Sequence, residues 1–206
     1  MGRVSSFEVD TPHGPARVIV READEPRAAL VLGHGAGGGV NARDLVAASG
    51  AALSLGFSVA LVEQPYRVAG RRSPAPAHLL DAAWTAVLGH LGAGELRDLP
   101  MVAGGRSSGA RVACRTAHSI GAVGVLCLAF PLQPPRREGA APAPSRQAEL
   151  DAVVVPMLIV QGARDPFGMP TSGPRREVVI VQGDHSLRSE VPALAAVVRT
   201  WLARFV

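Results

Sequence analysis

Apolar runs bounded by Gly or Pro alternate along this chain with longer Ala/Leu-rich stretches of helical period, which restricts it to an α/β architecture. The runs Ala28–Leu32, Phe57–Val62, Pro100–Ala103, Val123–Phe130, Val153–Val160 and Glu177–Val181 read as strands. They lack period-2 alternation, as expected of strands buried on both faces of a parallel sheet. Helices are expected from Asn41 to Leu55, with Asn41 as N-cap and Gly56 past the end, and over His78–Leu91, Ser108–His118 and Val191–Phe205. Ahead of them, Val4–Val9 and Ala16–Arg21 flank a Pro12-His13-Gly14 turn and read as an antiparallel edge pair. In such sheets a ligand site lies beyond the carboxyl ends of the strands. No repeat or interdomain linker interrupts the pattern. The 206 residues suit a single domain, 1–206, with a mostly parallel central sheet and helices on both faces.

Every one of the 21 basic residues is Arg, which rules out a P-loop lysine, a Schiff-base lysine and a Ser-Lys dyad. The arginines are scattered and only 4% of residues are aromatic, so the net charge of +4 does not indicate nucleic acid. Cys114 and Cys127 lie in apolar stretches, as small buried hydrophobes, and make neither a disulfide framework nor a metal site. His78, His90 and His118 fall on expected helices without partners at ligand spacing, and His13 belongs to the hairpin turn, so no metal is expected. The start, Met1 to Ser6, lacks an apolar h-region, and no apolar stretch is long enough for a membrane span. The expected setting is cytoplasmic, away from membranes.

Ser107 stands in Gly105-Arg106-Ser107-Ser108-Gly109, between a strand-like and a helix-like segment. With 23 Gly in the chain such a pentapeptide arises by chance at roughly 0.15 per sequence of this length, so its context decides its weight. A strand–turn–helix presents a serine hydroxyl beside a base, which its nucleophilicity requires. Asp165 follows Val153–Val160 and His185 follows Glu177–Val181, each beyond a strand's carboxyl end. The chain order Ser, Asp, His suits a triad in which His185 moves the Ser107 proton and Asp165 orients the imidazole. Asp184 is the rival acid, but adjacent residues rarely aim side chains at each other in a turn, so it reads as a loop residue.

Upstream, Gly33-His34-Gly35-Ala36-Gly37-Gly38-Gly39 follows the third strand. Its Ala36 N–H, with the N–H of Ser108, would form an oxyanion hole, and His34, Gly35 and Gly37 would face substrate. The same glycines, Gly33, Gly35 and Gly38, satisfy a dinucleotide-binding spacing, with Glu63 ending the next strand. That rival leaves Ser107, Asp165 and His185 unexplained. Arg67, Arg71, Arg72 and Arg106 lie in or beside loops at this end of the sheet. Two readings stand: Arg67 and Arg106 hold a carboxylate or phosphate of the substrate, or the group pairs with Glu63 and nearby carbonyls.

The segments Leu32–Gly39, Glu63–Arg72, Gly104–Ala117, Leu126–Pro135 and Gly183–Leu187 resemble the α/β-hydrolase superfamily, in its dienelactone-hydrolase-like branch. Within that branch the chain looks like small bacterial proteins related to the testis-expressed hydrolase-like protein and to the third regulatory subunit of the non-specific-lethal complex. The resemblance implies an α/β-hydrolase fold, a Ser-Asp-His triad, an oxyanion loop at His34–Gly38 and no cofactor. One departure is that dienelactone hydrolases carry Cys as nucleophile where this chain has Ser107. Pro131–Ser145 is too short for the cap that larger relatives insert, so a minimal, shallow site for small esters is expected. The expectation is thus a serine hydrolase acting on a small-molecule carboxylic ester, or thioester, as a monomer or homodimer. A non-catalytic interaction module on a hydrolase scaffold is the alternative.

Overall fold

A computed structural model describes residues 2–134 and 143–206. Eight strands form one sheet: β1 (Val4–Val9), β2 (Ala16–Arg21), β3 (Ala28–Gly33), β4 (Phe57–Glu63), β5 (Met101–Arg106), β6 (Gly124–Leu128), β7 (Met157–Gly162) and β8 (Arg176–Val181). Their spatial order is β1-β2-β4-β3-β5-β6-β7-β8. β1 pairs antiparallel with β2, and β2 antiparallel with β4; every later pairing is parallel. This is an α/β-hydrolase fold.

The helices are α1 (Arg43–Leu53), α2 (Pro65–Val68), α3 (Ala77–Ala93), α4 (Ser108–Thr116), α5 (Gln147–Asp151) and α6 (Val191–Leu202), followed by a 3₁₀ turn, Ala203–Phe205. They divide between the two faces because successive strand residues point to opposite sides. Leu30, Leu32, Phe57 and Val102 pack with Leu45 and Ala48 of α1 and Leu194, Val198 and Trp201 of α6. Val31, Ala60, Ala103 and Ile159 face the other way, against Trp84 and Leu88 of α3, Val112 and Cys114 of α4 and Leu150 of α5. Covering both faces leaves the central strands wholly buried, and it explains why they read as continuous apolar runs.

Several boundaries differ from the sequence reading. The fifth strand runs through Gly104 and Gly105 to Arg106, where glycine suggests a break, because neighbouring backbone there leaves no room for side chains. A Cβ on Gly104 would stand 2.5 Å from the Leu126 carbonyl oxygen. The expected 153–160 strand starts only at Met157, after Pro156, which lacks an N–H for pairing. Asn41 does not cap α1: Ala42 occupies that position without a side-chain bond. The short helices α2 and α5 have too few turns to show a period. Of the expected loop 131–145, residues 135–142 lie outside the described residues. Among the described residues, no helix is long and apolar enough to cross a membrane.

Candidate active site

Ser107 sits where β5 turns into α4, with φ 52° and ψ −107°. A non-glycine residue at positive φ is strained, and such strain persists only where surrounding contacts over-determine it. Here the Ser107 N–H donates to the Leu128 carbonyl at 2.9 Å, tying the turn to the end of β6. The two flanking glycines are required by close approach. A Cβ on Gly105 would lie 2.5 Å from the Gly33 carbonyl oxygen, and one on Gly109 would strike the same carbonyl. The G-x-S-x-G spacing therefore records a strand, a helix and β3 crossing at backbone contact. On the outer side Arg115 of α4 binds Asp81 of α3 through two hydrogen bonds, at 2.8 and 2.6 Å, and Arg111 pairs with Glu149 of α5.

The loops after β7 and β8 bring the other two groups to this turn. The Ser107 Oγ and His185 Nε2 are 2.9 Å apart, and His185 Nδ1 lies 2.8 Å from Asp165 Oδ2. The geometry fits Nδ1–H donating to the carboxylate, which leaves the Nε2 lone pair facing the serine hydroxyl. The Asp165 side chain is fully buried, and its Oδ1 accepts from the Phe167 N–H at 2.9 Å. The Phe167 ring stands edge-on to the imidazole with centroids 4.4 Å apart, limiting its rotation. Gly162 at the end of β7 admits the His185 loop, since a Cβ there would collide with the Asp184 carbonyl. Asp184 itself is exposed and bonds the N–H and hydroxyl of Ser186, a local turn away from the imidazole.

Gln161 carries little signal in the sequence, yet it holds the Asp165 carboxylate. Its side chain is wholly buried, and Nε2 reaches Asp165 Oδ2 at 2.8 Å, the Gly168 carbonyl at 3.0 Å and the Phe130 carbonyl at 3.1 Å. Its Oε1 has no partner. A glutamine inside an apolar strand is a cost unless its amide is used, and that is the only hint the sequence offers.

Ser108 opens α4, so its N–H belongs to the first turn, where backbone donors have no intrahelical acceptor. Gly35–Gly38 forms a turn closed by Gly38 N–H to Gly35 carbonyl at 3.2 Å, with Ala36 and Gly37 at its corners. Gly35 is buried beside Ser107: a Cβ there would be 3.5 Å from Ser107 Cβ. The Tyr66 hydroxyl, on α2, donates to the Ala36 carbonyl at 2.9 Å and fixes that peptide. Burial pushes the Tyr66 phenol up to about 12, so it remains a donor.

The expectation that His34 meets substrate is corrected. Its ring is only 2% exposed; Nδ1–H donates to the Gly35 carbonyl at 2.8 Å, and Nε2 accepts from the Gln64 N–H at 3.0 Å. Both nitrogens are spent holding the glycine loop against the β4–α2 junction. Desolvation holds this imidazole below its ordinary pKa, in the neutral form that this bonding needs.

The four arginines separate. Arg106 forms an ion pair through Nε with Oδ2 of the buried Asp44 of α1 at 2.9 Å, the N–H not being aimed at the oxygen. Its Nη2 donates to the His185 carbonyl at 3.0 Å, so Arg106 links α1 to the histidine loop. Desolvation raises the Asp44 carboxyl above its usual range, with Arg106 opposing. Arg67 lies near His34 with its Nε buried and unbonded, whereas Arg71 and Arg72 are exposed beyond α2. Of the reading in which the group pairs with Glu63 and nearby carbonyls, the carbonyl contact is made by Arg106, whereas Glu63 binds Arg17 at 3.2 Å. Gly33 and Gly35, the start of the rival dinucleotide pattern, are filled rather than open to a phosphate: Trp84 and Gly109 crowd Gly33, and Arg106 and Ser107 crowd Gly35. Among the described residues no cluster of His, Cys, Asp or Glu is arranged to hold a metal.

The alpha/beta hydrolase domain family matches residues 26–193. The chain belongs to that family. Its fold is similar to an alpha-beta serine hydrolase homologue from Coxiella burnetii, at 19% identity and a TM-score of 0.77, covering 98% of this chain and 99% of that one. It is likewise similar to a serine hydrolase without lid from Xanthomonas campestris, at 18% identity and TM-score 0.76, over 99% and 95% of the two chains. A dienelactone hydrolase from Anabaena variabilis shares 14% identity at TM-score 0.77, over 100% and 99%. No functionally curated protein matches the sequence. In this hydrolase-family chain the stretch before residue 26 supplies β1 and β2, the antiparallel edge outside the family's matched region.

Proposed function

We propose that this protein is a serine hydrolase that cleaves small carboxylic esters through an acyl-enzyme. The observation that carries the reading is the continuous hydrogen-bond chain from Ser107 Oγ through the His185 imidazole to the buried Asp165 carboxylate, at 2.9 and 2.8 Å. In the proposed reaction His185 Nε2 takes the Ser107 proton as Oγ attacks the ester carbonyl carbon. The Ser108 and Ala36 N–H groups stabilise the oxyanion, each donor contributing on the order of 3 kcal/mol to the barrier. His185 then gives its proton to the departing alkoxide, which leaves as alcohol. Water, deprotonated by His185, releases the acid and restores Ser107. Asp165 holds the Nδ1–H tautomer and balances the transient imidazolium.

The short β6–α5 connection favours small esters, and thioesters suit the same chemistry. The closer kinship with the testis-expressed hydrolase-like protein and the chromatin-complex subunit belongs to this proposal, as do the single domain and a cytoplasmic, monomeric or homodimeric state. The test is labelling of the folded protein with a fluorophosphonate together with hydrolysis of p-nitrophenyl butyrate. Both are expected in the wild type and absent from Ser107→Ala. An unlabelled, folded wild type refutes the reading.

A further inference from the structure

Arg106 ends β5 one residue before Ser107, and its guanidinium reaches three separate segments of the site. Nε lies 2.9 Å from Oδ2 of Asp44, in the first turn of α1, and Nη2 donates to the His185 carbonyl at 3.0 Å. Nη1 packs over the glycine loop, where a Cβ on Gly35 would stand 2.8 Å from it. One side chain thus joins α1, the histidine loop and the glycine loop, while its own backbone leads into Ser107.

The histidine loop depends on that tie. The imidazole is held at its ring by Asp165 and Phe167, but the His185 backbone belongs to no strand or helix. Among the described residues, no hydrogen bond other than that from Arg106 reaches the His185 carbonyl. The neighbouring bonds lead elsewhere: the Ser186 and Leu187 N–H groups turn back to Asp184, and the Gly183 carbonyl accepts from the Arg164 N–H. Leu187, at φ 50°, keeps a conformation that only surrounding contacts can maintain. A catalytic group must stay within about 0.5 Å of its working place, so a loose carbonyl here is felt at Nε2.

The charges suit a rigid brace. The Asp44 side chain is 1% exposed, its Oδ1 accepts from the Leu45 N–H, and its buried charge requires a cation. A planar guanidinium can face a carboxylate with one nitrogen and a carbonyl with another, whereas a lysine ammonium on its flexible stem fixes neither direction. Arg106 also lines an open groove of about 570 Å³, so the brace can be reached from solvent.

Resting on the hydrolase reading, we propose that Arg106, braced by Asp44, is a positioning residue for His185. It holds the His185 backbone so that Nε2 meets the Ser107 hydroxyl, and it neither moves a proton nor contacts substrate. This role replaces the substrate contact that its place beside Ser107 suggests.

The test is hydrolysis of p-nitrophenyl butyrate by Arg106→Ala and by the double variant Arg106→Ala with Asp44→Asn, with stability followed by urea denaturation. Arg106→Ala should lower kcat roughly 10- to 100-fold, as a misplaced base does, with KM within about twofold of the wild type. It should also depress the urea midpoint, because Asp44 is left as an unpaired buried charge. Asp44→Asn in the same chain should restore the midpoint and leave kcat low. Millimolar guanidinium, entering by the groove, should recover part of the kcat of Arg106→Ala and leave the wild type unchanged. By proton NMR, the downfield Nδ1–H signal of His185 should broaden in both variants. A kcat that returns with stability in the double variant makes Arg106 a structural residue and overturns the proposal. An unchanged kcat in folded Arg106→Ala, or a loss confined to KM, overturns it as well. A folded wild type that takes no fluorophosphonate label instead refutes the hydrolase reading, and the proposal falls with it.

Discussion

Gln161→Leu removes the amide that supports the Asp165 carboxylate while nearly preserving volume inside β7. The wild-type Nε2 has two protons for three acceptors, so its contacts are shared: 2.8 Å to Asp165 Oδ2, 3.0 Å to Gly168 and 3.1 Å to Phe130. The bond to Asp165 is charge-assisted and contributes about 1.5–3 kcal/mol. The Phe130 carbonyl keeps the Leu132 N–H at 2.9 Å, so the Gly168 carbonyl is the acceptor left short, costing about 1–3 kcal/mol. Removing the unpartnered Oε1 returns a similar amount. The variant should therefore fold, with a stability loss of about 2 kcal/mol. Catalysis should suffer separately, because Asp165 loses one of the donors that fix the oxygen facing His185 Nδ1. A carboxylate less well held by 1–2 kcal/mol in the transition state lowers kcat by roughly 5- to 30-fold. That is well short of the roughly 10⁴-fold loss on removing the acid's charge altogether. Urea denaturation and ester kinetics at a temperature where the variant is fully folded separate the two effects. KM should hold steady, since Gln161 is buried away from substrate. An unchanged kcat in a destabilised but folded variant refutes the positioning role.

Gly109→Ala forces a methyl against the Gly33 carbonyl and should cost about 3 kcal/mol or more, seen as a depressed urea midpoint. Gly50→Ala, on the exposed face of α1 with nothing within 4 Å, should instead raise stability by about 0.5–1 kcal/mol; equal effects at the two sites would refute the crossing argument. His34 is held below its ordinary 6.5, so between that value and its folded value the unfolded chain binds the extra proton. Stability should accordingly fall as pH drops below 6.5, by at most about 1.4 kcal/mol per unit, and His34→Asn should remove that slope. Asp44, raised above 3.8, acts in the opposite sense within its own window, so the difference between wild type and variant is the quantity to measure by denaturation across pH 5 to 7.5.

The fold was legible because burial on both faces writes itself as uninterrupted apolar runs, and turn chemistry sets the runs apart. The sequence also placed Ser107, Asp165 and His185 each beyond a strand end, in hydrolase order. What it did not reveal were pairings set by the fold alone. Gln161 looks like any polar residue in a strand until β6, β7 and the Asp165 loop converge on its amide. His34 looks exposed in a glycine loop, but the β4–α2 junction closes over it. Arg106 lies next to Ser107 in sequence and invites a substrate role, yet α1 offers Asp44 and the histidine loop offers a carbonyl. Residue type and spacing determine local conformation and which chemistry is available. Which groups meet, and which charges are left without partners, depends on contacts between segments far apart in the chain, and only the tertiary structure decides those.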